Sequence, residues 1–319
     1  MSKKSDKKDD PLYCINKAEK YLNPGFFDAV FKSKRERLED AIALYEDAAQ
    51  IYIEQKEYLK SAECQLKCAW IKEQLKDNPT FSYLEALNCY KRTDNFEDYQ
   101  KTLDKCISSY LKEGKYNDAA QLEYDRGKLY EKNNKIQNAF DSYEKALDFY
   151  EMDKSEMKGA IKEVKIAKAN IICSNDMKDL IAEAKALFEE IGDDLIKNNN
   201  AVAGKILAKD YYLKKILCYF AYDDYISAKA YIDKYFGDDS SYESSPIGKL
   251  CNGIIKCFER GEGFKEEEDG ITKVISTFKS SIRNSKTLND KCVDVLLDKI
   301  KQKIYKDMED DLNEEDDLR

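Results

Sequence analysis

Apolar side chains recur at steps of three and four residues in the stretch 38–52, LEDAIALYEDAAQIY. The recurring positions are Leu38, Ala41, Ile42, Tyr45, Ala48, Ala49 and Tyr52. This spacing places them along one face of an α-helix, with most of the acidic residues outside it. Alanines let a neighbouring helix approach closely and tyrosines fill the gaps beside them, so the pattern predicts a helix that packs against other helices.

The same order of small and aromatic residues recurs along the chain. The pattern A-x3-Y-x2-A begins at Ala41 and again at Ala139, and its first half recurs around Ala86 and Ala184. A single helix of this kind cannot bury its apolar face alone, but side-by-side copies can. Since the spacing between copies is irregular, we predict a degenerate right-handed stack of helix pairs, close to the tetratricopeptide (TPR) type.

Turn residues and strand patterns are both scarce. The chain has only 12 Gly and 4 Pro, and no sustained period-two alternation is bounded by turn clusters. We therefore predict an all-α fold. The predicted helices span about 12–22, 38–55, 58–76, 80–92, 95–113, 116–132, 135–152, 155–173, 176–192, 201–221, 223–236, 247–261, 264–283 and 287–308.

Polar stretches suggest the domain boundaries. The turn-rich segment 237–246, GDDSSYESSP, separates a helical array predicted for 1–236 from a C-terminal helical bundle predicted for 247–308. Residues 309–319 are predicted to form an acidic tail, and residues 1–10 a solvated, disordered tip.

Composition excludes most catalytic chemistry. The chain contains no His, which excludes His-based acid–base catalysis and His-ligated zinc. Its ten cysteines include no C-x-x-C pair, and most lie at apolar helical positions, so we expect buried, reduced thiols. No Gly-rich phosphate loop is present. We predict a protein that is not an enzyme and needs no cofactor or metal.

Charge and hydropathy bear on location and partners. The net charge of −9 argues against general nucleic-acid binding, although it allows a local basic face. The polar N-terminus resembles no signal peptide, and no apolar run approaches the roughly 20 residues that a membrane span requires. We therefore expect a cytosolic protein.

Three aromatic residues occupy a predicted loop at 23–37. Phe26, Phe27 and Phe31 follow Pro24-Gly25 and precede the basic run 32–37. They could fold back and cap the first helix pair. Alternatively, they form a hydrophobic tip that touches membranes while the basic residues meet anionic headgroups. Each buried ring contributes roughly 1.5 to 3 kcal/mol at most, so such attachment would be weak and reversible.

Lysines recur along one predicted helix. Lys158, Lys162, Lys165 and Lys168 are separated by four, three and three residues, which predicts a basic ridge on the helix surface. The ridge is either an ordinary solvated face or a docking surface for an acidic helical partner.

The C-terminal segment is strongly acidic. Residues 307–319 carry eight acids and end in EEDDLR. A solubilising tail would explain the charge, but Leu318 also places one apolar anchor beside the acidic run.

These segments together resemble the alpha type of the soluble N-ethylmaleimide-sensitive-factor attachment protein (SNAP) family. The most specific similarities are EEDDLR at 314–319, AKDYYLKKILCYF at 208–220 and SAKAYIDKY at 227–235, together with the Phe26-Phe27 loop. The resemblance implies TPR-like helix hairpins followed by a C-terminal bundle. It also implies an adaptor: several copies wrap a SNARE four-helix bundle and recruit the hexameric AAA+ ATPase that disassembles it.

The resemblance also implies roles for individual residues. Phe26 and Phe27 match the membrane-contacting loop of the family. The SNARE-facing positions are Lys115, Lys162, Lys165, Lys168 and Lys209. The positions facing the ATPase are Glu314, Glu315, Asp316, Asp317 and Leu318. Gln121 stands where alpha-type members typically carry a lysine, which weakens one expected contact.

Two other interpretations remain at the level of sequence. A generic TPR peptide-binding scaffold would hold the extended tail of a partner and would not need its own C-terminus. A gamma-type SNAP would share the opening KAEKYLNPGFF but would lack EEDDLR. The leading interpretation is a cytoplasmic SNARE-disassembly adaptor that associates peripherally with membranes.

Overall fold

The computed structural model describes residues 10–24, 32–153, 157–198, 202–259 and 270–317. Within these ranges the regular structure is helical, and no strand occurs. The α-helices are α1 (Pro11–Leu22), α2 (Lys34–Glu54), α3 (Tyr58–Leu75), α4 (Thr80–Tyr90), α5 (Phe96–Lys112), α6 (Tyr116–Lys132), α7 (Ile136–Met152), α8 (Lys158–Ser174), α9 (Ile181–Asn198), α10 (Val202–Tyr222), α11 (Tyr225–Phe236), α12 (Pro246–Glu259), α13 (Ile271–Ser281) and α14 (Lys291–Asp317). A short 3₁₀ helix, Lys178–Leu180, precedes α9. Neighbours in the chain pack against one another from α1 to α5 and from α8 to α11, and the all-α prediction is confirmed.

The described chain divides into two compact units. The first runs to Asp125 and also takes the end of α7 from Asp148, whereas the second takes Arg126–Leu147 and the chain that follows α7. The segments on both sides of 237–246 belong to the second unit. The domain boundary at 237–246 therefore stays a prediction.

In the first unit, α2 packs against both α1 and α3, as its apolar pattern predicts. Ala41, Tyr45 and Ala48 are buried between α1 and α3. The Tyr45 hydroxyl donates a hydrogen bond to Glu19 Oε1 on α1, at 2.5 Å. The stripe of small and aromatic residues therefore supplies both close packing and a polar link between helices.

Capping and turn residues fix where these helices begin and end. Helix α2 begins at Lys34, four residues earlier than predicted, because Ser33 and Glu36 form a reciprocal capping box. Left-handed backbone conformations at Lys56, Lys76 and Gly114 turn the chain between successive helices.

In the second unit, α10 is the most deeply buried helix. It contacts α9, α11 and α14, and Leu213, Ile216 and Leu217 are inaccessible to solvent. A glycine permits one of these close contacts: a Cβ atom on Gly192 of α9 would lie 2.5 Å from Tyr212 Cε1 on α10.

The C-terminal helix differs from its prediction. Helix α14 continues to Asp317, whereas the sequence predicts an end near residue 308. No Gly or Pro interrupts residues 291–317, and Glu, Lys, Leu and Met favour the helix over most of that length. The prediction of a tail rests on the charge of these residues, and a high charge does not by itself exclude a helix.

All ten cysteines are buried and none forms a disulfide, as predicted. Burial raises the pKa of Cys64 and of Cys106 to about 12. These thiols stay protonated near neutral pH and act as small apolar core residues.

Candidate functional site

The lysine ridge lies on α8, but its members differ in exposure. Lys158 is exposed, Lys162 and Lys165 are half-buried, and Lys168 is buried. Each three-residue step turns the position by about 60° around the helix axis. Lys158 therefore lies on the solvent-facing side of α8, whereas Lys168 lies in the groove between α7 and α9.

Lys168 is an interior residue, which corrects the prediction of a surface position. Its Nζ atom lies 3.0 Å from Glu144 Oε1 on α7 and 2.6 Å from Glu183 Oε1 on α9. The ammonium group also lies 4.9 Å from the centre of the Phe140 ring. Burial alone would lower the pKa of Lys168, but hydrogen bonds to Glu183 and Glu144 outweigh it and raise that pKa. The side chain therefore ties three helices together.

Of the three ridge lysines predicted to face the partner, Lys162 and Lys165 keep part of their surface accessible. Lys165 Nζ lies 2.6 Å from Glu190 Oε1 on α9. Lys162 forms no ion pair with any residue that the structure describes. These two positions remain accessible to a partner, one paired internally and one not.

The other two predicted contact lysines also have internal partners. Lys115, in the first unit between α5 and α6, places its Nζ atom 2.7 Å from Glu113 Oε2. The hydrogen bond to Glu113 raises the pKa of Lys115. Lys209, on α10 of the second unit, lies 2.5 Å from Asp239 Oδ2 in the turn before α12. Gln121, at the expected lysine position, donates to Asp125 Oδ1 at 3.3 Å.

The structure also shows a lysine–tyrosine cluster that the sequence analysis does not predict. Tyr212 of α10 stacks on Tyr235 of α11, with ring centres 4.0 Å apart. Glu189 of α9 accepts hydrogen bonds from Lys215 at 2.6 Å and from Lys234 at 2.7 Å. Burial would raise the pKa of Glu189, but its bonds to Lys215, Lys234 and Tyr235 lower it to about 2.

The cluster includes residues from two of the segments on which the family resemblance rests, 208–220 and 227–235. The spacing Tyr212-x2-Lys215 and Tyr231-x2-Lys234 puts an aromatic ring and an ammonium group on the same helix face. Lys215 Nζ lies 4.2 Å from the centre of the Tyr231 ring. This repeated spacing is the sequence feature that could have indicated the cluster. In the structure it corresponds to a cation–π contact between α10 and α11.

Another buried lysine joins α10 to the C-terminal part of the chain. Lys214 is 1% exposed and lies 3.0 Å from Asn170 Oδ1 on α8 and 2.5 Å from Asp290 Oδ2 before α14. Asp290 also accepts from the backbone N–H of Val293, which caps α14. Lys214 therefore stabilises the scaffold that carries Lys209.

The remaining predicted site residues lie largely outside the described residues. Phe26, Phe27 and Phe31 fall in 25–31, and Leu318 follows the last described residue. Residues 314–317 continue the backbone of α14. Every helix in the described part of the chain is too short or too polar to cross a lipid bilayer.

Comparison with known proteins gives a consistent family. The model of the family described as "Soluble NSF attachment protein, SNAP" matches residues 9–305. A vesicular-fusion protein SEC17 from Komagataella phaffii is 28% identical over 86% of this chain and 96% of its own length. The alpha-soluble NSF attachment protein of Saccharomyces cerevisiae is 26% identical over 95% of this chain and 99% of its own length.

Two further matches lie at lower identity. The human alpha-soluble NSF attachment protein is 24% identical over 96% of this chain and 98% of its own length. A solved STAND ATPase with a TPR sensor from Pyrococcus horikoshii superposes with a TM-score of 0.45 at 16% identity, covering 93% of this chain and 44% of that one.

Proposed function

Because the chain belongs to the soluble NSF attachment protein (SNAP) family, we propose that it is an adaptor for SNARE disassembly. It binds the SNARE four-helix bundle, several copies per bundle, and recruits and stimulates the hexameric ATPase NSF. The observation that carries this proposal is the family match over residues 9–305, together with relatives named as NSF attachment and vesicular-fusion proteins along nearly their whole length. That match favours an adaptor over an enzyme and over a generic TPR scaffold.

The SNARE-facing residues in this proposal are the accessible lysines. Lys162 and Lys165 on α8, Lys209 on α10 and Lys115 between α5 and α6 present ammonium groups to acidic side chains of the bundle. Lys168 has a different role, because its ion pairs to Glu144 and Glu183 hold it inside the fold. It positions α8 and does not touch the partner.

Charge reversal at Lys162 and Lys165 tests this surface. The double variant Lys162→Glu, Lys165→Glu is expected to weaken binding of the soluble SNARE bundle by about 10- to 100-fold, because it replaces attraction by like-charge repulsion. Affinity is measured by titration at several salt concentrations, since contacts between exposed charges weaken with added salt.

A matched control separates this local effect from net charge. Lys249→Glu with Lys256→Glu makes the same charge change on one exposed face of α12 and should bind almost normally. Circular dichroism must show both variants folded, because Lys165→Glu also faces Glu190. If the two double variants bind equally well, α8 is not the docking surface.

The proposal includes peripheral attachment to membranes through the aromatic loop. Phe26→Ser with Phe27→Ser should leave disassembly of soluble SNARE bundles intact and reduce disassembly on liposomes several-fold, since apolar insertion into the bilayer is lost. Phe81→Ser is the control, because Phe81 is an exposed aromatic residue on α4, outside the segment 23–37.

Two outcomes would contradict membrane contact. Equal losses in the soluble and liposome assays would point to a general defect. A lowered unfolding temperature of the double variant would support the alternative in which these rings cap the first helix pair.

A further inference from the structure

Three of the proposed contact lysines are already paired with a carboxylate of the same chain. The Nζ-to-oxygen distances are 2.7 Å for Lys115 and Glu113, 2.6 Å for Lys165 and Glu190, and 2.5 Å for Lys209 and Asp239. An acidic partner that approaches such a lysine competes with the internal carboxylate for the ammonium group. Its affinity therefore depends on how firmly the internal carboxylate is held.

Asp239 is held in place by hydrogen bonds within its own turn. Its Oδ1 atom accepts hydrogen bonds from the backbone N–H of Ser241 at 3.0 Å and from the Ser241 hydroxyl at 2.7 Å. Its other oxygen, Oδ2, faces Lys209. The turn between α11 and α12 therefore presents the carboxylate to Lys209 in a fixed orientation, and pairing requires little additional loss of side-chain freedom.

The pair is also partly shielded from water. The side chains of Lys209 and Asp239 are 36% and 23% exposed, against 47% and 44% for the ion pair of Lys229 and Glu259 on α11 and α12. The hydrogen bonds from Lys209 and Ser241 lower the pKa of Asp239 to about 2, so its carboxylate is ionised throughout the neutral range.

We propose that Asp239 is an internal competitor that occupies Lys209 until a partner carboxylate displaces it. The inference rests on the proposed function, in which Lys209 meets the SNARE bundle. Asp239 then acts as a specificity residue. A bundle that presents a well-placed carboxylate displaces it, whereas a weakly acidic or mispositioned helix leaves Lys209 neutralised.

Asp239→Asn tests the competition with little change of shape. The amide oxygen can still accept from Ser241, but the negative charge opposite Lys209 is lost. Full-length chain and soluble SNARE bundle should associate about 3- to 10-fold more tightly. The affinity should also fall more steeply with added salt, because the partner then forms a new ion pair with Lys209 and does not replace the pair with Asp239.

A mutant cycle and a matched control make the test specific. In the background of Lys209→Gln, adding Asp239→Asn should change affinity little, since the ammonium group for which Asp239 and the partner compete is absent. Glu259→Gln removes one negative charge from the exposed Lys229 pair and should leave affinity unchanged.

Each contrary result has its own meaning. Unchanged or weaker binding by Asp239→Asn overturns the competition while leaving the adaptor role intact. The same conclusion follows if Glu259→Gln tightens binding equally, or if the gain survives in the Lys209→Gln background. A wild-type chain that fails to bind the SNARE bundle overturns the proposed function, and this inference with it.

Discussion

Gly127→Ala is expected to lower the unfolding temperature, although alanine normally stabilises a helix interior by about 0.5–1 kcal/mol relative to glycine. The reason is steric. A Cβ atom on Gly127 of α6 would lie 2.4 Å from Tyr143 Cε1 and 2.6 Å from Tyr143 Cδ1 on α7. Overpacking of this kind typically costs about 1–3 kcal/mol, which exceeds the gain in helix propensity.

Tyr143 cannot easily give way to the added methyl group. Its ring is inaccessible to solvent, and its hydroxyl donates to Glu131 Oε2 at 2.8 Å. The net destabilisation should therefore lower the midpoint by a few degrees, measured by thermal denaturation followed by circular dichroism.

Gly159→Ala is the matched control for this substitution. A Cβ atom there would meet nothing within 4 Å, so its midpoint should stay at or slightly above that of the wild type. A Gly127→Ala midpoint at or above the wild-type value would mean that α6 and α7 separate readily, and that their close approach is not important for stability.

The core of the helical array was the most predictable feature of the molecule. The pattern A-x3-Y-x2-A placed Ala41, Tyr45, Ala139 and Tyr143 inside, and all four are buried. Helical spacing decides which residues share a face, and that information is local. The residue that packs against such a face from the next helix is not set by local spacing. Nothing in the sequence around Gly127 shows that the Tyr143 ring covers it.

Charged positions were less predictable for the same reason. Lys168 is predicted to lie on an accessible basic ridge, because its spacing from Lys162 and Lys165 places all three on one side of a helix. Its burial depends on Glu144 and Glu183, which lie on two other helices and become neighbours only after folding. A lysine with two such partners tolerates burial, because the ion pairs offset the loss of hydration.

Lys214 and Lys215 show the same limit within α10. Their carboxylate partners are Asp290 and Glu189, which lie far away in sequence. The segment that most strongly suggested the family thus contains residues that stabilise the scaffold as well as Lys209. Resemblance identifies the segment but does not separate a contact residue from a supporting one.

Leu318→Ala is expected to abolish most of the stimulation of NSF while leaving SNARE binding unchanged. A leucine that enters an apolar pocket contributes roughly 1.5–3 kcal/mol, and truncation to alanine loses most of that contact. The acidic residues 314–317 extend α14 directly up to Leu318. We expect them to attract a basic domain of NSF at long range, and such charges act mainly on the rate of encounter.

Two comparison variants separate recruitment from stimulation. Neutralising residues 314–317 to Gln and Asn should weaken NSF binding and reduce its salt dependence, with stimulation recovered at saturating adaptor. Leu312→Ala is the matched control, because it truncates another leucine of the same acidic segment, and it should behave like the wild type.

The measurement is ATP turnover by NSF with saturating SNARE bundle and saturating adaptor, because saturation removes differences in recruitment. Under these conditions Leu318→Ala should give turnover close to that of NSF without adaptor, a loss of roughly ten-fold or more if the full contact of about 1.5 kcal/mol acts in the stimulated state. Full stimulation by Leu318→Ala would contradict the role of this leucine. Equal losses for Leu312→Ala and Leu318→Ala would instead assign stimulation to the segment as a whole.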